Sequence, residues 1–330
     1  MTKILILSLF LYSCSDTKSP SSPSQNNSNN SEDILSSYYD LQSCKTDIAE
    51  DVPIFFHKYF HCVTAKLSKS GNYINLYYNG LPPYSSWYYS PNSPNYVEYQ
   101  SQGNGYYKNP NIISENNYVI SIPVTPTKIS NHQIGENAVD GKIGTDSYEY
   151  PMGSVGAALN GANLYNPLAG PGDVIEDEIF SFDLYSGHPV NGEYHYHTSS
   201  QGPLEVLKHK MPAQISNILP GSSEIELYGI MCDGTVVMGC TELDKSKPNI
   251  SQLDCQNGHS HDILDEDGTL LLQDRYHTHI CYSSLNEKDF SGNGCEDHEF
   301  TPEVSYYTSS GTGSNNVCSK MIVPIEPDSE

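Results

Sequence analysis

Histidine is concentrated in two short alternating segments, Tyr194-His195-Tyr196-His197 and Tyr276-His277-Thr278-His279. A β-strand sends alternate side chains to the same face. On strands, the two histidines of each segment therefore point the same way, and two neutral imidazoles side by side make half of a transition-metal site. Each segment follows a related run. Asp183-Leu184-Tyr185-Ser186-Gly187-His188 precedes the first, and Asp254-Cys255-Gln256-Asn257-Gly258-His259 precedes the second. The shared pattern is Asp-x-x-x-Gly-His, a variable loop, then Tyr-His-x-His, which reads as two related hairpins from a duplication. The candidate metal ligands are His188, His195, His197, His259, His277 and His279, and His261 falls in the same stretch.

Tyr194, Tyr196 and Tyr276, on the opposite strand face, are expected to pack into the core and fix the strands behind the ligands. Asp183 and Asp254 have two open roles. They could hold a ring N–H so that the other nitrogen faces a metal, or they could cap turns through backbone N–H groups. The two histidine pairs could share one centre or make two. If the cysteines are bridged, soft ligands are gone, and imidazole with a carboxylate suits Zn or Cu, with Ni and Fe as alternatives. An open site would allow hydrolysis or redox chemistry. A non-catalytic surface binding or adhesion module in which the His/Tyr/Asp network is structural, and metal-free acid–base catalysis, are the competing readings. Gly-x-Ser-x-Gly and Gly-x-x-x-x-Gly-Lys do not occur, so no reaction-specific motif selects an enzyme class. Asp265-Glu266-Asp267-Gly268 reads as an acidic turn, and Glu176-Asp177-Glu178 as a solvated acidic edge.

These residues need a scaffold, and composition indicates which kind. The 330 residues carry Lys+Arg 16 against Asp+Glu 40, a formal net charge of −24, and the one arginine is Arg275. Nucleic-acid binding is not expected, because phosphate contacts require clustered Lys and Arg. Substrate and protein partners are left open. Frequent Tyr, Gly, Pro, Asn and Ser favour short strands and turns. Strands are expected at Tyr73–Tyr78 and Tyr118–Val124. Turns at Asn160-Gly161 and Asp233-Gly234 each separate two apolar runs. The most helix-like stretch is Leu204–Leu219, interrupted at Pro212. The expected fold is mainly β: a single disulfide-stabilised domain with two related histidine-bearing hairpins.

Residues 1–13 read as a lipoprotein signal peptide, with Lys3 before an apolar run too short to span a bilayer. Leu11-Tyr12-Ser13-Cys14 resembles a bacterial lipobox with Cys14 as the lipidated residue. Ser15 after it resembles an outer-membrane sorting signal. The expectation is a cell-envelope protein held to the membrane by a lipid anchor. Residues 14–35 form a Ser/Asn/Pro-rich tether that cannot bury enough apolar surface to fold, followed by the β-rich domain over 36–330. Eight further cysteines in an exported chain suggest disulfides. Pairing nearest neighbours gives Cys44–Cys62, Cys232–Cys240, Cys255–Cys281 and Cys295–Cys318.

Several short runs together resemble the YHYH-domain family. They are Asn79-Gly80-Leu81-Pro82, Ala158-Leu159-Asn160-Gly161, Ser186-Gly187-His188-Pro189, Tyr194–His197, Tyr228-Gly229, Asp233-Gly234, Leu253-Asp254-Cys255, Asn257-Gly258 and Tyr276–His279. The resemblance covers roughly residues 65 to 285. It departs from the family at Thr278, where Tyr is frequent, and in the longer second loop. It implies a domain type found in exported bacterial proteins, and no specific reaction.

Overall fold

The computed structural model describes residues 41–42, 44–129, 150, 152–170, 173–281 and 301–308. Cys14, the signal peptide, the tether and the pair Cys295–Cys318 lie outside the described residues. The fold is mainly β, as expected. A four-stranded sheet has the order β1 (Asp47–Ile48), β2 (Thr64–Leu67), β3 (Tyr73–Tyr78), β4 (Tyr118–Pro123). An eight-stranded sheet is built from β5 (Ser154–Ala158), β6 (Asn163–Tyr165), β7 (Gly187–Val190), β8 (Glu193–Tyr196), β9 (Leu227–Met231), β10 (Val236–Met238), β11 (Gly258–Leu264) and β12 (Leu270–His279). Its spatial order is β11-β12-β10-β9-β5-β6-β8-β7. One buried core runs through both sheets, and Tyr78 of β3 hydrogen-bonds Asn163 of β6 at 2.9 Å.

The large sheet is a duplication that extends well beyond the histidines. β5 and β6 form an antiparallel hairpin around Asn160-Gly161, and β9 and β10 form one around Asp233-Gly234. Asn163 pairs with Ala157 as Val236 pairs with Ile230. Leu164 pairs with Gly156 as Val237 pairs with Gly229, and Tyr165 with Ser154 as Met238 with Leu227. A register shift falls at the same place in both hairpins. β6 then runs parallel to β8, with Asn163 opposite His195. β10 runs parallel to β12, with Val236 opposite His277. The halves meet where β5 and β9 pair antiparallel through Gly156–Met231, Ala157–Ile230 and Ala158–Gly229. This register places an approximate dyad at Ala157/Ile230, perpendicular to the sheet. Equivalent residues, the histidines included, thus emerge on the same face.

The seam at the dyad requires glycine. A Cβ on Gly229 would meet Ala157 O and sit 2.8 Å from Ala158 Cα, and one on Gly156 would sit 2.8 Å from Met231 Cα. These neighbours are backbone atoms that cannot rotate away. Gly229→Ala is therefore expected to destabilise by at least about 3 kcal/mol, at or beyond the upper end for overpacking. Denaturant unfolding measures this, and a change under 1 kcal/mol would show that the strands are not this close.

Three short helices complete the described fold: α1 (Ile54–Tyr59), α2 (Ile175–Glu178) and α3 (Gln201–Lys210). Ser200 caps α3 by accepting from Gly202 N at 3.1 Å. The helix stops short of Pro212, earlier than the apolar pattern predicts, because the residue before proline disfavours helical backbone. Lys210 instead donates to His57 O and Phe60 O at the end of α1.

Glu205 on α3 is buried, its Oε1 lacks a hydrogen-bond partner, and burial pushes its pKa up to about 7 against the attraction of Lys208. A raised carboxylate favours folding while protonated, so its contribution is full below the unfolded pKa near 4.5 and is lost as pH rises through 7. Glu205→Gln should then raise stability at pH 8 by about 2–3 kcal/mol and give almost no gain near pH 4. Thermal melts at the two pH values test this. An equal effect at both would contradict it.

Two disulfides have both cysteines among the described residues. Cys44–Cys62 forms as expected. Cys240 pairs with Cys281, which replaces both expected pairs Cys232–Cys240 and Cys255–Cys281; Cys232 and Cys255 are themselves disulfide-bonded. The parallel pairing of β10 with β12 explains the correction. It sets Met238 opposite His279, so the residues two further along each strand, Cys240 and Cys281, come side by side.

Candidate metal centres

Each hairpin gathers its own histidines. The β7–β8 pairing sets His188 opposite His195, and the β11–β12 pairing sets His259 opposite His277. His197 and His279 lie two residues past those partners on the same face. Two separate groups result. Centre 1 is His188, His195 and His197, and centre 2 is Glu242, His259, His277 and His279. Within each group the donor atoms all lie within 4.8 Å of one another, and every residue is buried. Five strand-to-strand steps separate β8 from β12, about 24 Å at the usual inter-strand spacing. The histidine pairs do not share one site.

In centre 1 the Nε2 atoms of His195 and His197 are 3.1 Å apart, and those of His188 and His197 are 3.4 Å apart. Ligand bonds of about 2.0–2.1 Å in a tetrahedron put donor atoms roughly 3.3–3.4 Å apart. The opposite ring nitrogens are all committed. His195 Nδ1 donates to Glu193 O at 3.0 Å and His197 Nδ1 to Asn166 O at 2.5 Å. Ser181 Oγ donates to Glu178 O and so takes the Nδ1–H of His188, at 2.6 Å. A carbonyl only accepts, so Nδ1 carries the hydrogen and Nε2 of the neutral ring is a lone pair. Burial keeps the rings neutral. It lowers the pKa of His188 to about 3 and of His197 to about 4, and it holds His195 well below its ordinary value. Tyr165 stacks on His195 with ring centroids 3.8 Å apart, and Phe182 meets His188 edge-on at 4.8 Å. Glu178 Oε2 stands 3.6 Å from His197 Nε2 and 3.7 Å from His188 Nε2. Burial raises the Glu178 pKa, partly opposed by the Gly170 N–H.

Centre 2 repeats this plan. His277 Nδ1 donates to Arg275 O at 3.0 Å and His279 Nδ1 to Gly239 O at 2.8 Å. These carbonyls are the duplicated counterparts of Glu193 and Asn166. The Nε2 atoms of His259 and His279 are 3.2 Å apart. Glu242 enters with Oε1 at 3.0 Å from His259 Nε2 and 3.3 Å from His279 Nε2, and with Oε2 at 3.2 Å from His277 Nε2. Burial pushes the Glu242 carboxyl up, but contacts to His259, His261, His277 and His279 outweigh it and hold it far below the usual carboxylate range. Those contacts stabilise the carboxylate only if the rings present N–H to it. His277 and His279 have already given Nδ1–H to carbonyls, so they would have to be imidazolium. Burial nevertheless draws His277 down to about 4 against the pull of Glu242, whose Oε2 its buried Nε2 approaches without hydrogen-bond alignment. A cation among the donors removes the conflict.

Compared with known proteins, the chain matches no family model, no curated protein and no solved structure.

The aspartates take the turn-capping role. Asp183 Oδ1 accepts from Tyr185 N at 2.9 Å and Tyr194 OH at 2.8 Å, and its Oδ2 accepts from Ser86 Oγ at 2.6 Å. Asp254 Oδ1 accepts from Gln256 N at 2.9 Å and Gly258 N at 3.0 Å, and its Oδ2 accepts from Tyr276 OH at 2.9 Å. Tyr194 and Tyr196 meet in a buried cluster with Tyr84, whose hydroxyl lies 2.5 Å and 2.7 Å from theirs, and Asn160 donates to Tyr196 OH at 2.9 Å. The tyrosines thus brace the strands from behind, and the imidazoles are oriented mainly by backbone carbonyls.

Sequence reasoning missed both carboxylates near the histidines. Glu178 sits in the stretch expected to be a solvated edge, and Glu242 follows β10 in a loop without any motif. Their approach depends on contacts between segments distant in sequence, which no local pattern reports. The acidic turn at Asp265 is tied down by a salt bridge, with Lys58 Nζ 2.8 Å from Asp265 and 2.9 Å from Glu266.

Proposed function

We propose that this chain is an exported, lipid-anchored metalloprotein of YHYH type that holds one transition-metal ion in each of its two centres, with Zn or Cu as the ions best suited to the donors. The observation that carries this reading is the protonation pattern. In centre 1 buried Nε2 lone pairs converge at 3.1–3.4 Å while two backbone carbonyls and Ser181 hold the hydrogens on Nδ1, and in centre 2 backbone carbonyls likewise fix the hydrogen on Nδ1 of His277 and His279. Lone pairs at that separation repel one another unless a cation lies between them. A purely structural histidine network would aim N–H groups at acceptors, and His277 Nε2 meets Glu242 Oε2 at 3.2 Å without hydrogen-bond alignment. Disulfides support an oxidising compartment, and the lipobox-like run ending at Cys14 supports the anchor. When bound, the metal would supply Lewis-acid or redox chemistry. The residues around it supply orientation through Nδ1 and exclusion of water through Tyr165 and Phe182.

The test is elemental analysis of the full exported chain, purified from its envelope without a histidine tag. Two metal equivalents per chain are expected. A folded protein with none, after incubation with Zn and Cu salts at neutral pH, would exclude the reading. Cys14→Ser is expected to move the chain out of the membrane fraction, and unchanged fractionation would remove the anchor from the account.

A further inference from the structure

Centre 2 has an imidazole for which centre 1 has no counterpart. His261 stands two residues beyond His259 on β11, and this spacing puts both rings on one face. Its ring centroid lies 4.7 Å from that of His259 and 4.6 Å from that of His277. Its Nε2 is 3.4 Å from Glu242 Oε1, the same oxygen that approaches His259 and His279. Its Nδ1 donates to Asp262 O at 2.8 Å, so Nε2 is the nitrogen that His261 turns inward, as His277 and His279 do. In the duplicated unit the equivalent position is Val190, paired opposite Glu193 as His261 is paired opposite Arg275. His261 also lines a cavity of about 250 Å³ with Glu242, His259 and Lys247, and its side chain is 42% exposed there.

We propose that His261 is a fifth ligand of centre 2, so that the two centres differ in coordination number and hence in the metal they retain. This rests on the reading of both clusters as metal sites. Five donors, four imidazoles and a carboxylate, exceed the four of a closed tetrahedral zinc site and suit Ni(II), Cu(II) or Fe(II) with five or six ligands. Centre 1, with three imidazoles, suits a four-coordinate ion. The cavity lies on the His261 side, so a sixth donor, water or a small anion, reaches the ion of centre 2 from there.

Cobalt(II) distinguishes the cases, because four-coordinate cobalt absorbs visible light strongly and five- or six-coordinate cobalt weakly. In the full chain carrying His195→Ala and His197→Ala, only centre 2 loads, and weak bands are expected. Adding His261→Val, the residue type of the first unit, should raise the bands several-fold and weaken nickel binding about tenfold or more. Because His261 is well exposed, the substitution leaves the core intact, and His261→Asn serves as a polar control with the same expected outcome. Strong bands before the His261 change, unaltered after it, would overturn the fifth-ligand assignment while leaving the metal reading in place. No cobalt at centre 2 in folded protein would overturn both.

Discussion

Removing both histidines of one strand is expected to remove one metal equivalent and to leave the other. His195→Ala with His197→Ala should reduce two equivalents to one. His277→Ala with His279→Ala should do the same, and the combined variant should bind none. The centres are far enough apart, about 24 Å from the strand count, for the two losses to be independent. Binding only to the folded state stabilises by RT ln(1 + [L]/Kd), about 4.1 kcal/mol at a free concentration a thousand times Kd. For a chain of this size that corresponds to roughly 6 °C in Tm per centre. Chelation of the loaded protein should therefore lower Tm by up to about 12 °C, in half-sized portions for the two single-centre variants. A Tm indifferent to metal, with metal bound, would mean that unfolded chain binds as well.

The second large effect concerns Asp183. Asp183→Ala removes the acceptor for Ser86 Oγ, Tyr194 OH and the N–H groups of Tyr185 and Gly187. These donors are buried, and leaving several of them unsatisfied should cost about 4 kcal/mol or more. Asp183→Asn keeps Oδ1, which accepts three of the four, and is expected to lose less than half as much. Burial raises the Asp183 carboxyl to about 6 in spite of those bonds. The wild-type carboxyl thus contributes most below its unfolded pKa of 3.8, and that contribution fades as pH rises through 6. The deficit of Asp183→Asn should therefore be smaller at pH 8 than at pH 4. Metal affinity of the folded Asn variant should change only a few-fold, because the histidine Nδ1 partners lie elsewhere. A loss of tenfold to a hundredfold, typical of a residue that orients a ligand, would return Asp183 to that role.

The hairpins were legible because local signals set them. Tyr73–Tyr78 ends at Asn79-Gly80, and the turns at Asn160-Gly161 and Asp233-Gly234 lie where the strands reverse. The same-face placement of the histidines follows from strand period alone. The first half of each duplicated unit was not legible as a repeat. Ala157, Leu164 and Tyr165 share no residue type with Ile230, Val237 and Met238, and only their pairing shows the equivalence. Disulfide pairing by sequence distance failed at Cys240 because a parallel strand neighbour, far along the chain, lies nearer than the next cysteine. Glu178 and Glu242 were invisible for a related reason, since an acidic residue in a loop carries no mark of where the loop folds back. The repeat supplied the three histidines of each centre, and the carboxylate beside them came from tertiary structure.

The most direct measurement is anomalous diffraction at the metal edge from crystals of the loaded full chain. Two peaks about 24 Å apart are expected, one among the Nε2 atoms of His188, His195 and His197, the other among those of His259, His277 and His279 beside Glu242. No peak at either position, or one that does not contact the Nε2 atoms, would contradict the account.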